Sequence, residues 1–258
     1  MEQALQRNTA TTPLEDVRDE VRRLLSAAEE RKVVLRVLGG VAVYLHCPSA
    51  RHRALQRVYR DADLVGLSPQ KRAIEALFAE LGYLADREFN ALHGHQRLCF
   101  WDPVNQRQID VFLDRLRMSH TLDLRDRLLV ERHTVPLADL LLSKLQIWEV
   151  NEKDLTDIVA IVHDHPFGSG DEETINIDRL LAVLAADWGW YRTARENVER
   201  TRALLAHREL AKEFGLLQRL DEFWQQVEAA PKSRAWKMRA MIGERKRWYE
   251  LPEEVRRD

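Results

Sequence analysis

Apolar positions recur with a period near 3.6 at the start of the chain and then give way to short continuous runs. Leu14, Val17, Val21, Leu24 and Leu25 follow Thr12-Pro13-Leu14-Glu15, which reads as a capping box with proline in the first turn, so a helix is expected to about Glu30. Val33-Val34-Leu35-Arg36-Val37-Leu38 is a β-branched run of strand length. It ends on Gly39-Gly40, and Val41 to His46 can start a short helix.

A second strand is expected from Tyr59 to Val65, after a basic stretch. Ser68-Pro69 then opens a helix with Ile74, Leu77, Phe78 and Leu81 on one face and Gly82 as its stop. Two extended segments, His95 to Trp101 and Arg107 to Leu113, flank the turn-like Asp102-Pro103-Val104-Asn105. A short extended piece, His133 to Leu137, precedes a helix expected from Ala138 to Val150. Asn151 caps the next helix, whose Leu155, Ile158, Val159 and Val162 face a core.

His165-Pro166-Phe167-Gly168-Ser169-Gly170 breaks the pattern and divides the chain into a core over residues 1–165 and a helical domain over 166–258. Beyond it the pattern reads as helices only, over about Ile177 to Ala186, Trp188 to Leu205, Arg208 to Ala229 and Lys232 to Trp248. With strands and helices mixed before residue 165 and helices alone after it, the expected fold class is α+β.

Composition narrows the function class. Forty basic and 42 acidic residues leave a formal charge of −2, so no global field draws the protein to nucleic acid or to an anionic membrane. Only Cys47 and Cys99 occur, which excludes a disulfide framework or CxxC knuckle and fits a reducing cytoplasm. Residues 1–12 lack an apolar signal core, and the run from Val33 to Leu45 is too short to span a bilayer, so a cytoplasmic protein without a membrane partner is expected. The charge is uneven, however. Between Lys232 and Trp248 seven basic residues stand against Glu244 alone, interleaved with aromatics, a pattern that could hold an RNA backbone. Ordinary patterning gives another reading, in which Trp236, Ala240 and Met241 form a packed stripe and the charges a solvated face.

Asp61-Ala62-Asp63 is weak on its own, since 19 Asp in 258 residues give about one such pair by chance. On a strand, though, Asp61 and Asp63 would share a face, and two adjacent carboxylates repel unless a cation lies between them. Asp110, in Gln108-Ile109-Asp110-Val111-Phe112-Leu113, faces opposite to Ile109 and Val111 and could join them. Three acids on adjacent strands suit two magnesium ions clamping a triphosphate, with Asp110 also placed to deprotonate a hydroxyl. Gly39 and Gly40, at a strand-to-helix turn, would let backbone amides approach phosphate oxygens. The alternative is structural: Arg57 and Arg60 pair with the two Asp, and the glycines form an ordinary turn. Lys144 could equally snorkel from its helix. Asp154 reads as a helix-start acid, and Asp157 as a partner for Lys144 or for substrate.

Taken in order, Gly39-Gly40-Val41-Ala42, Arg57-Val58-Tyr59-Arg60-Asp61-Ala62-Asp63-Leu64, Ile109-Asp110-Val111, Leu141-Leu142-Ser143-Lys144-Leu145 and Lys153-Asp154-Leu155-Thr156-Asp157-Ile158 resemble the AbiEii-type branch of the nucleotidyltransferase superfamily. The resemblance covers about residues 30 to 163, with Tyr59 and Ala62 departing from the usual pattern. It implies a mixed sheet of the nucleotidyltransferase fold flanked by helices, and an enzyme that moves a nucleotidyl group from an NTP to a hydroxyl. The metal ligands would be Asp61, Asp63 and Asp110, holding two Mg²⁺. Gly39, Gly40, Arg57, Lys144 and Asp157 would bind the nucleotide. The acceptor it implies is a tRNA end or a protein, as in toxins of type IV toxin-antitoxin pairs with an antitoxin as partner, or a small molecule. A protein that keeps the fold and binds nucleotide or a partner without turnover is the other reading.

Overall fold

The computed structural model describes residues 11–52, 55, 58–206 and 215–251. Its centre is a five-stranded mixed sheet in the order β1 (Leu35–Leu38), β2 (Ala62–Gly66), β5 (Arg107–Leu113), β4 (Arg97–Asp102), β3 (Leu84–Ala85). Only β2 and β5 run parallel, and every other neighbour is antiparallel. The parallel pair needs a long crossover, supplied by α3 (Lys71–Glu80), β3, α4 (Arg87–His93) and β4.

Helix α1 (Val17–Glu30) starts four residues later than the capping box suggested. Asp16, not Thr12, is the N-cap, accepting from the Arg18 amide at 2.8 Å, and Glu20 instead accepts from the Leu14 amide. The apolar face of α1 buries Val17, Val21, Leu24 and Leu25 together with Ile74, Leu77 and Phe78 of α3. Phe78 stacks on Phe100 of β4 at 4.1 Å, joining this layer to the sheet. Inside it Glu20 is fully buried between Arg23 and the Tyr83 hydroxyl, so a buried charge is matched by donors rather than left bare.

The expected strand at Tyr59 to Val65 begins only at Ala62, so Asp61 lies outside the ladder. His133 to Leu137 contributes one parallel bridge, Thr134 to Val37, which covers the outer edge of β1 and leads into α5 (Leu137–Leu145). All nine residues of α5 are buried. Asn151 caps α6 (Glu152–Asp164) as the sequence indicates, accepting from the amides of Lys153 and Asp154.

Two short ladders that the apolar pattern does not announce follow the sheet. One pairs β6 (Arg115–Arg117) with β7 (Thr121–Asp123). The other pairs β8 (Phe167–Gly168) with β9 (Ile175–Asn176) within the segment read as wholly helical. Then come α7 (Ile177–Leu184), α8 (Trp188–Ala206), α9 (Leu216–Ala229) and α10 (Arg234–Ile242). The apolar core is continuous across residue 165, running through Ile158 and Ile161 into Leu180, Ala194, Val198 and Phe223. The Asn197 side chain of α8 donates to the carbonyls of Leu145 and Ile147, closing the C-terminal end of α5.

Helix α10 sits on this region through Trp236, edge-on to Tyr191, and Arg239, stacked over Trp188. Met241, expected in the packed stripe with Trp236 and Ala240, is 75% exposed, whereas Trp236 and Ala240 pack against the core. Arg234 and Lys237 face outward as well. Among the described residues no helix is long and apolar enough to cross a membrane. Both cysteines are buried and neither is in a disulfide, and burial followed by the nearby Asp164 and Asp157 pushes the Cys47 thiol well above its ordinary range.

Candidate active site

The register of three strands brings the candidate residues together. Leu38, the last residue of β1, pairs with Asp63, and Asp63 pairs in parallel with Asp110 of β5. Alternation turns Ala62, Leu64, Ile109 and Val111 into the core, each 2% exposed or less, and leaves the two carboxylates side by side on the other face. Helix α2 (Gly39–His46) starts immediately after β1, so its first turn lies against Asp63.

Gly39 is the position where glycine is required. Its φ is +69°, and a Cβ there would stand 2.6 Å from Asp63 Oδ2. Gly40 has no such φ. Gly39→Ala should therefore cost about 1–2 kcal/mol in backbone strain alone. It should also push the Asp63 carboxylate out of line, so that a thermal scan shows a lower melting temperature and a smaller shift on adding Mg²⁺ and NTP.

A cleft opens beside these groups, lined by Gly39, Asp63, Phe112, Lys144 and Asp154. Lys144 is buried and does not snorkel. Its Nζ lies 2.9 Å from Asp154 Oδ1 and 2.9 Å from Asp157 Oδ2. Burial opposes its charge, but the Asp157 and Asp154 carboxylates outweigh that and hold the ammonium well above the ordinary lysine range. Asp154 is thus an ion-pair partner and not only a helix-start acid, because the first turn of α6 crosses the end of α5 at the lysine. An ammonium has three donors, and two are committed here.

The carboxylates are unequal. Burial, then the charges of Asp110 and Asp61, push the Asp63 carboxyl up to about 7, against the opposing pull of Lys144 and Arg97. Among the described residues none donates a hydrogen bond to it. Asp110 is held firmly: Arg97 Nε donates to Oδ1 at 3.0 Å, and Gln108 Nε2 donates to Oδ2 at 2.8 Å. Asp61 is exposed, one residue before β2. Among the described residues no group of three or more His, Cys, Asp or Glu side chains is gathered as a metal site. The group that suits a cation is Asp63, an acceptor without donors among the described residues, under the like charges of Asp110 and Asp61, with its Oδ2 packed against Gly39.

Arg57 lies outside the described residues. The arginine that meets a carboxylate is Arg97, which the sequence reading did not single out. Its signal was the hairpin turn: pairing Asp102 with Arg107 and counting back puts Cys99 opposite Asp110 and Arg97 one diagonal step away.

No protein-family model and no curated protein matches the sequence. Solved structures do. A crystal structure of the lincosamide antibiotic adenylyltransferase LnuA, lincomycin-bound, aligns with a TM-score of 0.42 at 14% identity, over 58% of this chain and 97% of that one. An antigenic nucleotidyltransferase-like protein from Paracoccidioides brasiliensis gives a TM-score of 0.40 at 13% identity, over 87% and 98% of the two chains. ANT(2")-Ia in complex with adenylyl-2"-tobramycin gives 0.39 at 13%, over 56% and 87%.

Proposed function

We propose that the protein is a nucleotidyltransferase, which takes a nucleotidyl group from an NTP and passes it to a hydroxyl acceptor in a Mg²⁺-dependent reaction. The observation that carries this reading is one seam: the glycine turn at Gly39, the Asp63–Asp110 pair in parallel register, and a charge-fixed Lys144 all border the same side of the sheet. Asp63, with Asp61 beside it, is the pair to hold Mg²⁺, which when bound supplies positive charge to the triphosphate. Gly39 lets the Asp63 carboxylate pack against the turn and starts α2 there, so backbone amides and the helix dipole would face the phosphates. The third donor of Lys144 suits a phosphate oxygen. Catalysis would rest on positioning and charge. On the acceptor side, the outward Arg234 and Lys237 of α10 suit an RNA backbone.

One observation favours the reading without turnover: both oxygens of Asp110 are already occupied by Arg97 and Gln108. The two readings separate in a transfer assay with α-labelled NTPs, Mg²⁺ and tRNA or small-molecule acceptors. The enzyme reading expects a labelled product that falls at least about a thousandfold in Asp63→Ala, the scale of losing a main electrostatic group. NTP binding by calorimetry with neither transfer nor Mg²⁺ dependence would establish the non-catalytic protein instead.

A further inference from the structure

Arg97 makes the most completely satisfied contact in the site. Its Nε and one terminal nitrogen lie 3.0 and 2.7 Å from the two oxygens of Asp110, a bidentate fork, and Gln108 adds a third donor to Oδ2 at 2.8 Å. The guanidinium is restrained from the sides as well. Its central carbon lies 5.5 Å from the centre of the Phe89 ring and 5.2 Å from that of Phe112. Asp110 is 8% exposed, so the pair has little water to compete with it. Three of the carboxylate's roughly four acceptor positions are thus taken, and a cation approaching the last one meets the guanidinium charge beside it. Its register neighbour Asp63 has no donor among the described residues and packs its Oδ2 against Gly39, where a side chain would displace it.

We propose, on the nucleotidyltransferase reading above, that Arg97 is a positioning residue that keeps Asp110 out of the cation's coordination shell. The site then loads one divalent cation, at Asp61 and Asp63, and the guanidinium is the fixed positive charge where a second cation would otherwise bind. Charge balance supports this. Three carboxylates are neutralised by one divalent cation together with one guanidinium, whereas a second divalent cation beside Arg97 would leave an excess of positive charge before any nucleotide arrives. Arg97 also lines a cavity with Phe89, Phe112, Arg117 and Met118, so the same side chain borders a second space next to the site.

Titration of the full chain with Mn²⁺ alone, reading free Mn²⁺ by electron paramagnetic resonance, tests the assignment without reference to turnover. Wild type should hold one Mn²⁺ per chain, and Asp63→Asn none. Arg97→Gln removes the charge and the fork, and should add a second site or tighten binding at least tenfold. Arg97→Lys keeps the charge and should stay at one site. Two sites in the wild type overturn the proposal and leave nucleotidyl transfer standing, and so does an Arg97→Gln protein that melts normally and binds like wild type. A wild type that holds no Mn²⁺ overturns both. Should Arg97→Gln fail to fold, the wild-type count decides alone.

Discussion

Asp63→Asn should raise the melting temperature of the ligand-free protein by about 2–8 °C at pH 8 while abolishing transfer. The gain follows from the cost of the native carboxylate. Burial and its neighbours Asp110 and Asp61 lift Asp63 from its ordinary 3.8 to about 7, so the folded state holds the proton more tightly than the unfolded chain does. Unfolding releases that proton between these two values, and stability falls as pH rises through the window. A shift of that size is worth about 4 kcal/mol at most, and the opening of the cleft to solvent reduces it to about 1–2 kcal/mol. At 2–4 °C per kcal/mol for a chain of this size, that gives the expected rise. The amide carries no charge, so wild type and Asp63→Asn should coincide near pH 4, diverge as pH rises to about 7, and stay a constant distance apart above it. Added Mg²⁺ should stabilise wild type only, since a cation relieves a repulsion that the variant lacks. Parallel melting curves at all pH values would show that Asp63 is not the uncompensated group.

The hairpin that presents Asp110 was legible because its turn and both strands are continuous in sequence, and apolar alternation then fixes which side the carboxylate takes. The partnership of Asp63 with Asp110 was legible only as an expectation. It depends on a parallel pairing across more than 40 residues, for which local pattern carries no register. Asp61 was misplaced by one residue at a strand end, enough to move it off the ladder. The short pairs β6–β7 and β8–β9 bury few apolar side chains, so they leave little periodic trace. Arg97 and Asp154 were missed for a shared reason. Each acts across a contact between two elements, diagonal on the sheet for one and between helix ends for the other, and single-element periodicity does not report such contacts.

Lys144→Met should be the most destabilising substitution in the site, and its rescue separates structure from chemistry. The ammonium lies between Asp154 and Asp157, at 2.9 Å from each, on a helix whose nine residues are all buried. Methionine fills the same volume but leaves two carboxylates facing each other without a cation. Breaking a buried pair in this way costs about 3–5 kcal/mol, so the melting temperature should fall by about 10 °C. The triple variant Lys144→Met/Asp154→Asn/Asp157→Asn removes all three charges and should recover most of that loss, because the pair's Coulomb gain in the native protein is largely offset by desolvation. Transfer should stay low in the triple variant, since no donor then faces the phosphates from α5. A third effect connects the two ends of the cleft. Lys144 is the largest of the charges that pull the Asp63 carboxyl down, so in Lys144→Met the descending limb of stability against pH should extend to higher pH than in wild type. A triple variant that regains both stability and transfer would assign Lys144 to the fold alone and move phosphate binding elsewhere in the cleft.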